Sequence, residues 1–200
     1  MKERLWCSAA VVAALGLSAG CGRGAAAPAG TPGVDASYDK LGRLERVSYD
    51  RNHDGKPDAW LKVRGAQVLS AELDEDFDGV VDRREFYADQ PVTAQATPSA
   101  ASLPARAEIV RAEQASGADG KMNRVEFYDH GKLARVEEDT NGNGSVDKWE
   151  TWTGGVLVMV ALDTKGTGEP DRRIVYAADG GEPRMEVDAK GDGTFTPLGH

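Results

Sequence analysis

The chain has 200 residues, 40% of them hydrophobic, a formal net charge of −9 at pH 7 and two cysteines. That length accommodates one ordinary domain or a small repeat array. The acidic balance argues against nucleic acid or anionic lipid surfaces as partners and suits cations, and two cysteines near the N-terminus leave no disulfide framework.

Lys2 and Arg4 precede an apolar run from Leu5 to Leu17 that is too short to span a membrane comfortably. Leu17-Ser18-Ala19-Gly20-Cys21 follows and resembles a bacterial lipobox, although Ser18 stands where that family has Leu, Val or Ile. The resemblance implies a lipoprotein signal peptide over residues 1–20, cut before an acylated Cys21, and so an exported protein held to a membrane by its N-terminal lipid. An ordinary secretory cleavage nearby is the alternative. Either way Cys7 leaves with the leader. Residues 21–36 are Gly-, Ala- and Pro-rich with little to bury and read as a flexible tether.

From residue 37 to 200 the pattern changes to short β-type runs separated by Gly and Asp, best read as a repeat. Aligned on the first loop position, units start at Asp50, Asp74, Ala115, Asp139, Asp163 and Asp188, so four of the five intervals are 24 or 25 residues. The long interval contains a Pro-, Ala-, Ser- and Thr-rich insertion at 91–107, expected to be an exposed loop. Each unit has a polar loop, a β-type run such as Arg83-Arg84-Glu85-Phe86-Tyr87 or Lys148-Trp149-Glu150-Thr151-Trp152, a tight turn and a second run. The expected fold is all-β, an antiparallel meander of tandem hairpins opened by an incomplete leading hairpin, Ser37 to Val47. Its Tyr38-Asp39…Gly42-Arg43-Leu44 string is similar to the YD repeat of bacterial surface proteins. A short helix within Pro104–Gln114 is the one local alternative.

The loops alternate oxygen-bearing side chains as a hard cation requires: positions 1, 3 and 5, a bend-forming Gly at 6, then acids at 9 and 12. Loop two offers Asp74, Asp76, Asp78, Asp82 and Glu85; loop four offers Asp139, Asn141, Asn143, Asp147 and Glu150; loop one offers Asp50, Asn52, Asp54 and Asp58, with Leu61 at position 12. Loop three keeps Asp119, Asn123 and Glu126 but has Ala115 and Gly117 at positions 1 and 3. Loops five and six carry Lys165 and Lys190 at position 3, where an ammonium would replace an ion, and are expected to be metal-free.

These strings resemble the calcium loops of EF-hands, dockerins and thrombospondin type 3 repeats, over about a dozen residues per unit. The resemblance implies Ca2+ ligation by the matched oxygens. It departs from an EF-hand in placing Trp60, Phe86 and Trp149 on strand-like rather than helical flanks. The same strings also make good turns, because Asx side chains accept hydrogen bonds from their own backbone, and a metal-free reading stays open beside the calcium one. Tyr87, Tyr128, Trp152 and Tyr176 recur once per unit and read as cross-strand core, or else as a platform for glycan or an envelope protein. His53, His130 and His200 are scattered, and no nucleophile elbow, P-loop or dinucleotide fingerprint occurs. The expected role is therefore non-catalytic, structural or interaction-based, at the cell envelope.

Overall fold

The computed structural model describes residues 33–65, 67–89, 107–117 and 119–198. The leader, Cys21, most of the tether and residues 91–106 of the insertion lie outside them. The strands are β1 (Val34–Tyr38), β2 (Leu44–Tyr49), β3 (Ala59–Arg64), β4 (Gln67–Leu73), β5 (Arg83–Tyr87), β6 (Ile109–Ala115), β7 (Met122–Asp129), β8 (Lys132–Glu138), β9 (Lys148–Thr153), β10 (Val156–Leu162), β11 (Arg172–Val175), β12 (Arg184–Val187) and β13 (Thr196–Pro197). They form one antiparallel sheet in sequence order. The meander of tandem hairpins is the architecture the repeat grammar predicts.

Two details, one at each end of the array, differ from expectation. The first strand begins at Val34, inside the segment read as tether, because the Asp50 N–H donates to the Gly33 carbonyl (2.7 Å) and carries the β2 ladder outward; the leading hairpin is thus complete. Residues 109–115 are strand, as the repeat alignment favours over the local helical alternative, with β6 paired on both sides, by β5 and by β7. A two-residue β13 closes the array after loop six.

Tight turns join β1 to β2, β3 to β4, β7 to β8 and β9 to β10 at one end of the sheet. The acidic loops join β2 to β3, β4 to β5, β6 to β7, β8 to β9, β10 to β11 and β12 to β13 at the other. The β5–β6 connection, which holds the insertion, leaves from the tight-turn end, its base closed by Ala88 N–H to Glu108 carbonyl (2.8 Å). All six loops therefore line one rim, neighbours lying two strands or about 9.5 Å apart.

Each strand contacts its sheet neighbours and no second layer covers either face among the described residues. The faces cover themselves instead. On one, the cross-strand ladder runs Val47, Leu61, Ala71, Glu85, Ala112, Glu126, Val136, Glu150, Val160, Ile174. Ala112 of β6 and Val136 of β8 are fully buried there, and ion pairs span both strands: Arg83 of β5 to Glu126 of β7, and Arg124 of β7 to Glu150 of β9. On the other, guanidinium groups lie over rings: Arg111 is 5.3 Å from the Phe86 centroid and Arg135 is 4.1 Å from that of Phe127, each also paired at 2.6 Å to Glu113 or Glu137. Alkyl stems and planar cations thus screen aromatic area that a second layer would otherwise have to bury.

Candidate metal centre

The loops share one hydrogen-bonding plan, dictated by where their acids fall. The position 1 carboxylate accepts the amides of positions 4 and 6, as in Asp74 with Phe77 (2.7 Å) and Gly79 (2.8 Å), Asp50 with His53 and Gly55, and Asp139 with Gly142 and Gly144. The position 5 side chain accepts the amide of position 7: Asp54 from Lys56, Asp78 from Val80, Asn143 from Ser145. The position 9 acid accepts the amide of position 2, at 2.7 Å in Asp58 and Asp82 and 3.0 Å in Asp147. Loop three uses Asn123 for the same task, accepting from Ser116 at 2.8 Å.

Positions 4 and 6 both need positive φ to turn their amides inward. Gly79 (φ 94) and Gly144 (φ 89) meet this at position 6, and Gly142 does so at position 4, but His53 (φ 65) and Phe77 (φ 66) hold the left-handed conformation without being glycine. Phe77 is held across the rim: the Arg51 guanidinium of loop one sits 5.4 Å from its ring centroid. On the other side Val80 packs so closely on Gly120 of loop three that a Cβ there would collide with it.

In loop two, Asp74, Asp76 and Asp78 each bring a carboxylate oxygen within 4.8 Å of the other two. This cluster could hold a metal ion. Asp74 is buried and Asp76 and Asp78 are exposed, so the group opens to water. Each carboxylate oxygen has two acceptor sites, and accepting one amide does not exhaust it. An all-oxygen set with room for water matches a hard cation, not zinc or copper.

The other predicted ligands of that loop go elsewhere. Asp82 turns to the loop's start, taking the amides of Glu75 and Asp76. Glu85 lies on the sheet, where Arg83 Nε reaches Oε1 at 2.9 Å and the Tyr87 hydroxyl donates to Oε2 at 2.6 Å. Glu150 is held likewise by Lys148 (2.8 Å) and the Trp152 indole N–H (3.1 Å). In loop one, Asn52 and Asp54 bond to each other and Asp58 is buried under the loop. In loop four the Asn141 amide donates to Asp147. Lys165 of loop five brings its ammonium 3.7 Å from Asp171 Oδ2, the placement expected of an internal counter-ion.

The position 12 acids belong to a motif that loop spacing hides. Arg83-x-Glu85-x-Tyr87, Arg124-x-Glu126-x-Tyr128 and Lys148-x-Glu150-x-Trp152 each put a cation, an acid and an aromatic donor on one face, a period-2 signal readable from the sequence. Arg83 also reaches Glu126 (3.2 Å), and Arg124 reaches Glu138 (3.1 Å) and Glu150 (3.7 Å), which links the triplets across strands. Burial opposes ionisation of Glu126, but the Tyr128 hydroxyl, Arg83 and Arg124 outweigh it and hold the carboxyl below its ordinary range. Burial, with Glu126 beside it, pushes the Tyr128 phenol up to about 12. Of the recurrent aromatics, Tyr87, Tyr128 and Trp152 are half-buried and each donates to the acid two residues before it. Tyr176, with Ile174 in the acid's place, is exposed.

No protein-family model matches the chain. Comparison with curated proteins likewise finds no match.

Proposed function

We propose that the chain is a non-catalytic lipoprotein of the bacterial cell envelope, exported and anchored through lipid on Cys21, whose β-repeat domain is stabilised by Ca2+ and serves a structural or interaction role. The observation that carries the calcium part is the convergence of Asp74, Asp76 and Asp78 within 4.8 Å. Like charges this close repel by about 1 kcal/mol per pair in water, and more where solvent is partly excluded, and a divalent ion converts that repulsion into attraction. Calcium fits better than magnesium because it accepts irregular oxygen shells and water ligands. Since loop two joins β4 to β5, ion binding there becomes folding energy for the hairpins on either side.

Calorimetric titration of the protein with calcium, beside thermal melts with and without chelator, tests this reading. Binding heat and a raised melting temperature support it; no heat and an unchanged melt overturn it. For the anchor, Cys21→Ala should release the protein from the membrane fraction.

A second reading, metal-free turns on a glycan- or protein-binding surface, draws support from the hydrogen-bonding plan, in which backbone amides already engage the loop acids. Tyr128→Ala with Trp152→Ala separates the two. A variant that stays folded and loses envelope or glycan binding favours the surface; one that loses only stability assigns those rings to holding Glu126 and Glu150.

A further inference from the structure

The two edges of the sheet are unequal. At the C-terminal edge the Leu198 N–H donates inward to the Met185 carbonyl (3.0 Å), so by strand alternation Pro197 is the residue facing outward, and it has no N–H to offer. At the N-terminal edge the inward bond from Asp50 to the Gly33 carbonyl sets the opposite case. Gly33, Asp35 and Ser37 turn their backbone groups to β2, whereas Val34, Ala36 and Tyr38 turn theirs outward. No described strand pairs with that edge. Four of its five residues are exposed, Tyr38 at 61%. Edges are usually blunted by Pro, Lys or extreme shortness; β1 has only Asp35 and a bulge between Ser37 and Tyr38.

We propose that β1 is a self-pairing edge: two copies of this chain join β1 to β1, antiparallel, about a two-fold axis at Ala36. The sequence Val34-Asp35-Ala36-Ser37-Tyr38 is self-complementary in that register. Val34 meets Tyr38 of the second copy on the face of Ala36, and Asp35 meets Ser37, whose hydroxyl donates to the carboxylate. Moving the axis one residue back sets Asp35 against Asp35; moving it one residue forward sets Asp35 against Asp39. Like charges directly opposite are destabilising, so charge selects the Ala36 axis. Because Pro197 blocks pairing of β1 with β13, the association closes at two instead of growing into a filament. A single strand pair buries little area, so the dimer is weak and concentration-dependent.

Register-specific cross-linking of the full chain tests this. In a Cys7→Ser, Cys21→Ser background the chain has no other cysteine. The Asp35–Ser37 pair is of the non-hydrogen-bonded kind, with Cα atoms about 4.5 Å apart, within disulfide reach. Two Asp35 side chains, or two Ser37 side chains, are offset by two residues, roughly 7 Å. Mixing Asp35→Cys protein with Ser37→Cys protein under mild oxidation should give the mixed disulfide in several-fold excess over either homodimer. Absence of cross-linking, or equal yields of all three species, overturns the proposal. In sedimentation equilibrium the average mass of the unsubstituted chain should rise with concentration, and Ala36→Pro should abolish that rise. Its N–H faces outward, so the melting temperature should hold; if this variant unfolds, the cysteine pair still decides.

Discussion

Unit two, loop 74–82 with β5, and unit five, loop 163–171 with β11, fold the same loop around different charges. Asp74 and Asp163 both accept the amides of positions 4 and 6, and Asp82 and Asp171 both accept that of position 2. Position 3 is Asp76 in one and Lys165 in the other, and position 5 is Asp78 against Thr167. On the following strand, Glu85 lies between Arg83 and Tyr87, where unit five has Ile174 beside an exposed Tyr176. Backbone wiring therefore makes the loop, and positions 3, 5 and 12 decide how its charge is balanced. Unit two leaves room for an external cation at the rim and spends an internal one, Arg83, on the sheet; unit five keeps its cation in the loop.

The sharpest test of that division is to remove the sheet cation. Arg83→Met strands the carboxylates of Glu85 and Glu126, and breaking a largely buried pair costs about 3–5 kcal/mol. Arg172→Met, at the same position of unit five, should change stability by less than about 0.5 kcal/mol, as for other exposed sites. Denaturant titrations of the two variants compare them directly, and equal losses would erase the distinction between the units.

Exchanging the loop charges comes next. Under the calcium reading, ion at a hundred times its Kd contributes about 2.7 kcal/mol, which for a domain this size raises Tm by several degrees. Asp76→Lys with Asp78→Thr, which rewrites loop two as loop five, should abolish that rise. Lys165→Asp with Thr167→Asp should create one in unit five. A smaller effect comes from position 4. Gly166 has φ 70 with open space around it, so Gly166→Ala should cost about 1–2 kcal/mol through the backbone alone. In loop two Phe77 already occupies that conformation under Arg51, and Phe77→Ala should cost no more than the lost stacking, about 0.5–1 kcal/mol. Melting curves of the two variants should therefore separate in that order.

How much of this was legible follows from the range of each signal. The hairpins and loop frames are local: Gly and Asp punctuate them and β-branched or aromatic residues fill the runs, so β5, β7 and β9 fall where the sequence places them. The extent of β1 was not, because Val34 to Ala36 resemble tether in composition and become strand through the Gly33–Asp50 bond, a contact made across the chain. At the site, Asp74, Asp76 and Asp78 converge as their alternation implies. Loop spacing alone assigns Glu85 and Glu150 to the loops, on a frame that belongs to a helical motif; on a strand, position 12 points to the sheet face, and the cations two residues before it, Arg83 and Lys148, decide its partners.

The mildest perturbation, pH, distinguishes where the units hold their charge. The carboxyls of Glu126 and Glu150 lie below their ordinary range, burial opposing ionisation but donors and cations prevailing: Tyr128, Arg83 and Arg124 for the first, Lys148, Trp152 and Arg124 for the second. A depressed folded pKa gives stability that is complete above the unfolded value, about 4.3, and is lost as pH falls through the folded one. The domain should hold its denaturation midpoint down to about pH 5 and lose it progressively as pH falls below the unfolded value. Glu126→Gln should flatten that slope even where it lowers the midpoint at neutral pH. Asp163 and Asp171 are also depressed: burial again opposes, while backbone amides outweigh it for Asp163 and Thr164 and Lys165 for Asp171, so unit five contributes its acid sensitivity from the loop. Tyr128 runs the other way, since a raised phenol gives stability that is complete below the ordinary value of about 10 and is lost only as pH climbs through about 12. Hydrogen exchange across an acid titration should open β7 and β9 together in the central units, and the 163–171 loop before β11 in unit five. A single uniform transition in every unit would show that rim and sheet charges are coupled as one network, and that the two kinds of unit differ in sequence only.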